Sequence, residues 1–127
     1  MVMEVTALLK STHDPRAQAV IDKVAKMLNR REASRPAILN DCTMSGQGFA
    51  YVHYKHSETY AAIAMEVVVN PVSGKVNVKR ATCAHDRRQI SNPDGPRNQV
   101  EGNFVQALSR ALHEEVTSDG NQITSVD

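Results

Sequence analysis

A chain of 127 residues that is 41% hydrophobic, with two Phe, three Tyr and no Trp, is long enough for one mainly aliphatic core. A formal net charge of +1, with no tract of clustered Lys and Arg, excludes the electrostatic footprint of a nucleic-acid-binding surface. No apolar run has the length needed to cross a bilayer and the N-terminus lacks the basic and apolar regions of a secretion signal, while Cys42 and Cys83 stand apart without metal-ligand spacing, which excludes a zinc or disulfide framework.

Residues 1–10 are apolar without a clear period and read as a lead-in segment. Over 11–29 the signals sharpen. Asp14 can accept hydrogen bonds from the free N–H groups of a first helical turn, Pro15 fits its first position, and Ala17, Val20, Ile21, Val24, Ala25 and Leu28 recur at intervals of three and four. The spacing predicts an amphipathic helix. Residues 30–46 carry mixed polarity, a proline and no usable period, and read as a loop. Gly46 and Gly48 could tempt a phosphate-loop reading, but no strand precedes them and no helix follows, so they signal no nucleotide site.

An antiparallel sheet is predicted over 47–86. Tyr51, Val52, His53 and Tyr54 alternate as a strand does, and the run from Thr59 to Val69 is β-rich and apolar on both faces, as expected of a strand covered on two sides. Asn70-Pro71-Val72-Ser73-Gly74 is a turn, and beyond it Val76 and Val78 face one side while Lys75, Asn77 and Lys79 face the other. This gives a three-stranded meander whose last strand runs on to Asp86.

The next helix is predicted over 94–117, capped by Asp94, with Pro96 in its first turn. Val100, Phe104, Ala107, Leu108, Ala111, Leu112 and Val116 form its apolar stripe, and Ser118, Asp119 and Gly120 stop it. Burying Phe104, Leu108 and Leu112 would contribute about 1.5–3 kcal/mol each, so this helix is expected to lie on the meander. A short strand is predicted over 122–126. The fold class is therefore α+β: a three-stranded antiparallel meander packed against a long amphipathic helix, with a second, N-terminal helix.

Most reactive side chains have a bland reading. His85 and Asp86 look like an acid/base pair, but neighbours on a strand point to opposite faces. His53 and His56 are three apart, a metal spacing for a helix and not for a strand. Cys83 lacks a basic activating neighbour and reads as a small core residue. Glu114 and Glu115 read as solvated surface. What the helix pattern leaves unexplained is its start, where Arg97, Asn98, Gln99, Glu101, Gly102 and Asn103 gather polar groups and a glycine at an end suited to anions or to the hydrogen-bonding edge of a ligand.

Asn92-Pro93-Asp94, Gln99-Val100-Glu101-Gly102 and Leu108-Ser109 resemble the Asn-Pro, Gln-x-Glu-Gly and Gly/Ala-Leu-Ser run in the large subunit of molybdenum hydroxylases. That family includes xanthine dehydrogenases, aldehyde oxidoreductases and isoquinoline 1-oxidoreductases, and the runs 97–103 and 109–116 are most similar to the isoquinoline branch. The resemblance extends from about Asp14 to Asp127, Asp14-Pro15-Arg16-Ala17 included. It implies a fragment, 1–127, of a molybdopterin-binding domain whose parent hydroxylates an aldehyde or N-heterocycle carbon. It further implies a pterin bound as a dinucleotide and an iron–sulfur subunit or domain as partner, in the cytoplasm or periplasm. Gln99 matches the glutamine that contacts the pterin, and Gly102, with no side chain, would leave room for it.

Two departures stand out. Arg87-Arg88 occupy positions where the family carries a small residue followed by glycine, and the family's Gly-x-Gly-Glu motif with its catalytic glutamate is not in this chain. The piece is thus expected to hold no catalytic residue, to bind no cofactor by itself, to be inactive alone, and to self-associate through apolar surface that a parent would cover. The rival reading is a stand-alone dimerisation or interaction domain without cofactor.

Overall fold

The computed structural model describes residues 11–28, 37–38, 43–55 and 58–125. The lead-in at 1–10, most of the expected loop over 30–46 with Cys42, and His56 lie outside those residues. The chain forms two compact units, Met1–Arg88 and Gln89–Asp127.

In the first unit α1 (Pro15–Met27) is followed by β1 (Ala37–Ile38), β2 (Met44–Tyr54), β3 (Thr59–Val69) and β4 (Val76–Asp86). The strands pair antiparallel in the order β1-β2-β3-β4. Helix α1 starts as its sequence dictates: the Asp14 carboxylate accepts from the Arg16 N–H at 2.9 Å and Pro15 opens the first turn. Ala17, Val20, Ile21, Val24 and Leu28 are buried along one stripe, and they meet Tyr60, Ala62 and Ala64 of β3, with Phe49, Tyr51 and Ala84 packed around them. The two alanines leave room for the helix to approach the sheet. Val20, Ile21, Val24 and Leu28 each contribute about 1.5–3 kcal/mol by leaving water.

The register fixes which residues share that face. Tyr60, Ala62, Ala64 and Glu66 stand opposite His53, Tyr51, Phe49 and Gln47 on one side and opposite Asp86, Ala84, Thr82 and Arg80 on the other. The β3–β4 turn is built by Asn70, whose side-chain oxygen accepts from the N–H groups of Val72 and Ser73 at 2.9 and 3.0 Å, and by Gly74 at φ 70°. Between Glu66 and Val67 the register with β4 shifts, because Lys79 is an extra residue with no partner position. The bulge moves Val76 and Val78 to the face away from α1, where they meet Val69 and Val67.

The second unit holds α2 (Asp94–Leu112) and a small hairpin, β5 (Ser118–Asp119) with β6 (Gln122–Ile123), which turns at Gly120 with φ 59°. Around the hairpin, the Thr117 carbonyl accepts from Thr124 N–H at 2.8 Å and the two threonine hydroxyls meet at 2.9 Å.

The α+β class stands, with three long antiparallel strands and two helices, but several expectations are corrected. Within the first unit it is α1 that covers the sheet, and α2 has no buried residue among those described. Helix α2 also ends at Leu112, five residues short of the expected end, since the carboxylates of Glu114 and Glu115 oppose the helix dipole and the β-branched Val116 and Thr117 favour extended backbone. Asp94 is the first helical residue and not the cap, a place taken by Pro93, while Asn92 accepts from the Asp94 N–H at 3.0 Å. The stretch read as loop contains β1 and the first residues of β2. Only one face of β3 is fully buried, at Tyr60, Ala62 and Ala64; Ala61, Ile63, Met65, Val67 and Val69 are half-exposed.

Candidate functional site

The two residues singled out by the resemblance lie on α2, and both are exposed. Gln99, Gly102 and Asn103 fall three and four positions apart and so share one helix face. A Cβ built on Gly102 would have no atom within 4 Å, so no packing among the described residues demands a glycine there. The face thus offers two side-chain amides, each able to donate and accept, beside bare backbone. Arg97 and Glu101 are tied to each other, Nε to Oε1 at 2.9 Å.

A second polar constellation sits in the first unit, where α1 begins above the ends of β3 and β4. The Tyr60 hydroxyl donates to Asp14 Oδ2 at 2.6 Å, and the Arg16 guanidinium grips Asp86 with two bonds of 2.8 Å, Nε to Oδ2 and Nη2 to Oδ1. The same guanidinium lies 4.5 Å from the centre of the Tyr60 ring, and the His53 ring stacks on that ring at 4.4 Å. Charge follows geometry here. The Tyr60 hydroxyl holds the Asp14 carboxyl below the usual carboxylate range, the Arg16 guanidinium does the same for Asp86, and the Asp14 carboxylate pushes the Tyr60 phenol up.

Asp86 also accepts from the Arg88 N–H at 3.1 Å, and Arg88 takes φ 41°, in the left-handed region that glycine adopts freely. The backbone at this departure from the family pattern therefore keeps a shape suited to glycine, held in place by the Asp86 carboxylate. That carboxylate is engaged by Arg16 and Arg88. Cys83 is half-buried and burial pushes its thiol up, as fits a packing residue. Among the described residues no group of three or more His, Cys, Asp or Glu is placed to hold a metal ion, and no helix is long and apolar enough to cross a membrane.

The sequence does not reveal Asp14, Arg16, Tyr60 and His53 as one cluster. Asp14-Pro15-Arg16 reads as a helix start and Asp86 as the end of a strand, and only the pairing of Tyr60 with Asp86 across β3 and β4 joins them.

Residues 4–126 match the model of the molybdopterin cofactor-binding domain. The chain is 33% identical over 125 residues to one of the subunits of nicotinate dehydrogenase from Pseudomonas putida, covering 92% of this chain and 10% of that protein. It is 31% identical over 102 residues to the beta subunit of isoquinoline 1-oxidoreductase from Brevundimonas diminuta, covering 80% of this chain and 12% of that protein. No solved structure matches. The chain spans about a tenth of the length of the curated relatives it matches, and it belongs to the molybdopterin cofactor-binding domain family of molybdenum-dependent oxidoreductases.

Proposed function

We propose that this chain is one piece of the molybdopterin-binding region of an oxidoreductase that hydroxylates an N-heterocyclic or aldehyde carbon, and that Gln99 and Gly102 are its contacts with the pterin. The observation that supports the reading is the exposed face shared by Gln99, Gly102 and Asn103 within a segment matched to the cofactor-binding domain. The residues suit the group: a pterin edge alternates donors and acceptors as a glutamine amide does, and Gly102 has open space where a side chain would intrude. The names of both relatives denote oxidoreductases of nitrogen heterocycles, which favours that substrate class over an aldehyde.

When bound, the molybdenum and its pterin supply the redox chemistry. The chain itself would hold and orient the pterin through Gln99, with the cofactor in dinucleotide form and an iron–sulfur subunit or domain as electron partner. With no catalytic glutamate motif of its own, the 127-residue piece would not turn over alone. The rival reading as a stand-alone interaction domain finds no support among the relatives.

The test is Gln99→Ala in the intact large subunit. Molybdenum and pterin content should fall about tenfold with secondary structure and sedimentation unchanged. Undiminished content would remove Gln99 from the site. Arg88→Gly in the same protein separates the two uses of Arg88: lost cofactor would assign its side chain to phosphate oxygens, and unchanged content would leave it a backbone role.

A further inference from the structure

Two cationic turns meet at one end of the sheet. β2 and β4 run in the same direction on either side of β3, so Lys55, which follows β2, and Arg87 and Arg88, which follow β4, leave the sheet at the same end. Two strand spacings, about 10 Å of backbone, separate the turns, a gap that a lysine and an arginine side chain can close on one small anion. All three residues are exposed, and neither Lys55 nor Arg87 has an ion pair among the described residues. Lys55 and Arg88 are also the only non-glycine residues with positive φ among those described, at 43° and 41°. Glycine would cost about 1 kcal/mol less at each, so both turns keep a cation in strained backbone of the kind that clusters at ligand clamps.

The carboxylates at this end are mostly engaged. Each oxygen of Asp14 and of Asp86 already accepts a hydrogen bond, from the Tyr60 hydroxyl, from the Arg16 backbone and guanidinium, and from the Arg88 N–H. Glu58, whose N–H donates to the Lys55 carbonyl at 3.3 Å, is the one exposed carboxylate in the described part of the two turns. We propose that Lys55, Arg87 and Arg88 form a phosphate-binding site. A guanidinium meets two phosphate oxygens at once, and the lysine ammonium adds a point charge. The phosphate is either free or the terminal group of molybdopterin. In the second case the site rests on the cofactor reading above; in neither does it depend on Gln99 or Gly102.

The experiment is an NMR titration of the chain with inorganic phosphate, at constant ionic strength set with chloride. The amide signals of Lys55, Glu58, Arg87 and Arg88 should shift and saturate together. Lys55→Gln and Arg87→Gln should each weaken binding about fivefold, and Glu58→Gln should tighten it. Lys75→Gln, in the turn at the opposite end of the sheet, should leave it unchanged. Shifts that never saturate, or equal weakening by Lys75→Gln and Arg87→Gln, would overturn the proposal. The double variant Lys55→Gln/Arg87→Gln of the intact large subunit then names the source. Molybdenum and pterin content lower by about tenfold would assign the phosphate to the cofactor. Unchanged content, with phosphate bound by the loaded wild type, would assign it to free phosphate, and unchanged content with no phosphate bound would overturn the site. Cofactor retained in Gln99→Ala would remove Gln99 from its role and leave this result standing.

Discussion

Tyr60 bears more of this structure than its place at the start of a strand foretells, because its ring supports His53 and Arg16 while its hydroxyl restrains Asp14. Removing the hydroxyl alone isolates one of those roles. In Tyr60→Phe the Asp14 carboxyl should titrate closer to the ordinary carboxylate value, followed by its side-chain NMR signal through the acid range; an unmoved titration would mean another group lowers it. Asp14 and Asp86 both have folded-state values below the unfolded one. The stability they contribute is therefore fully present above about pH 4 and is lost as pH falls through the folded values. Thermal midpoints measured from pH 7 to pH 2 should fall less steeply below pH ~4 for Asp86→Asn than for wild type. Arg88 makes a prediction of opposite sign. An L-residue at φ 41° costs about 1 kcal/mol, so Arg88→Gly should raise stability to urea by about that amount. A loss of stability would show that the arginine side chain contributes more than the backbone strain takes away.

At the scale of elements, the helices show what periodicity conveys and what it leaves out. The start of α1 and each of its buried positions could be read from the spacing of Ala17, Val20, Ile21, Val24 and Leu28 after an Asp-Pro cap. The β3–β4 hairpin was equally legible, since Asn70 and Gly74 admit few backbone alternatives. The role of α2 was not. Counting apolar residues made its stripe look like a core face, yet no residue of α2 is buried, and Val105 and Leu112 stay exposed. The two helices should answer mutation accordingly. Ile21→Ala should cost about 2–5 kcal/mol, while Val105→Ala should change stability by less than about 0.5 kcal/mol, both from urea unfolding. A comparable loss at Val105 would mean that α2 carries packing that its exposed valine does not show.

For the whole molecule, the fold class and the family could be read in the chain, because one rests on alternation and spacing and the other on the run from Asn92 through Gly102. The bulge could not. A strand read by strict alternation places Val76, Val78, Thr82 and Ala84 on one face, and the extra residue at Lys79 divides that set between two. Nor could the cluster around Tyr60, whose members come from four separate stretches of sequence. The candidate pterin contacts, Gln99 and Gly102, were named from the polar start of their helix together with the motif resemblance, and both are exposed on α2.

Arg16 and Asp86 are 70 positions apart, and on a ribosome that separation becomes a delay. Translation at about 5–20 residues per second leaves the arginine without its carboxylate for on the order of several seconds after it is made. For the first part of that interval the greasy side of α1 has no floor to settle on, since the strand bearing Tyr60 is still to come, and the strand bearing Asp86 comes later still. Helix α1 should thus be among the most chaperone-dependent parts of the chain during synthesis, although its stripe supplies much of the finished core.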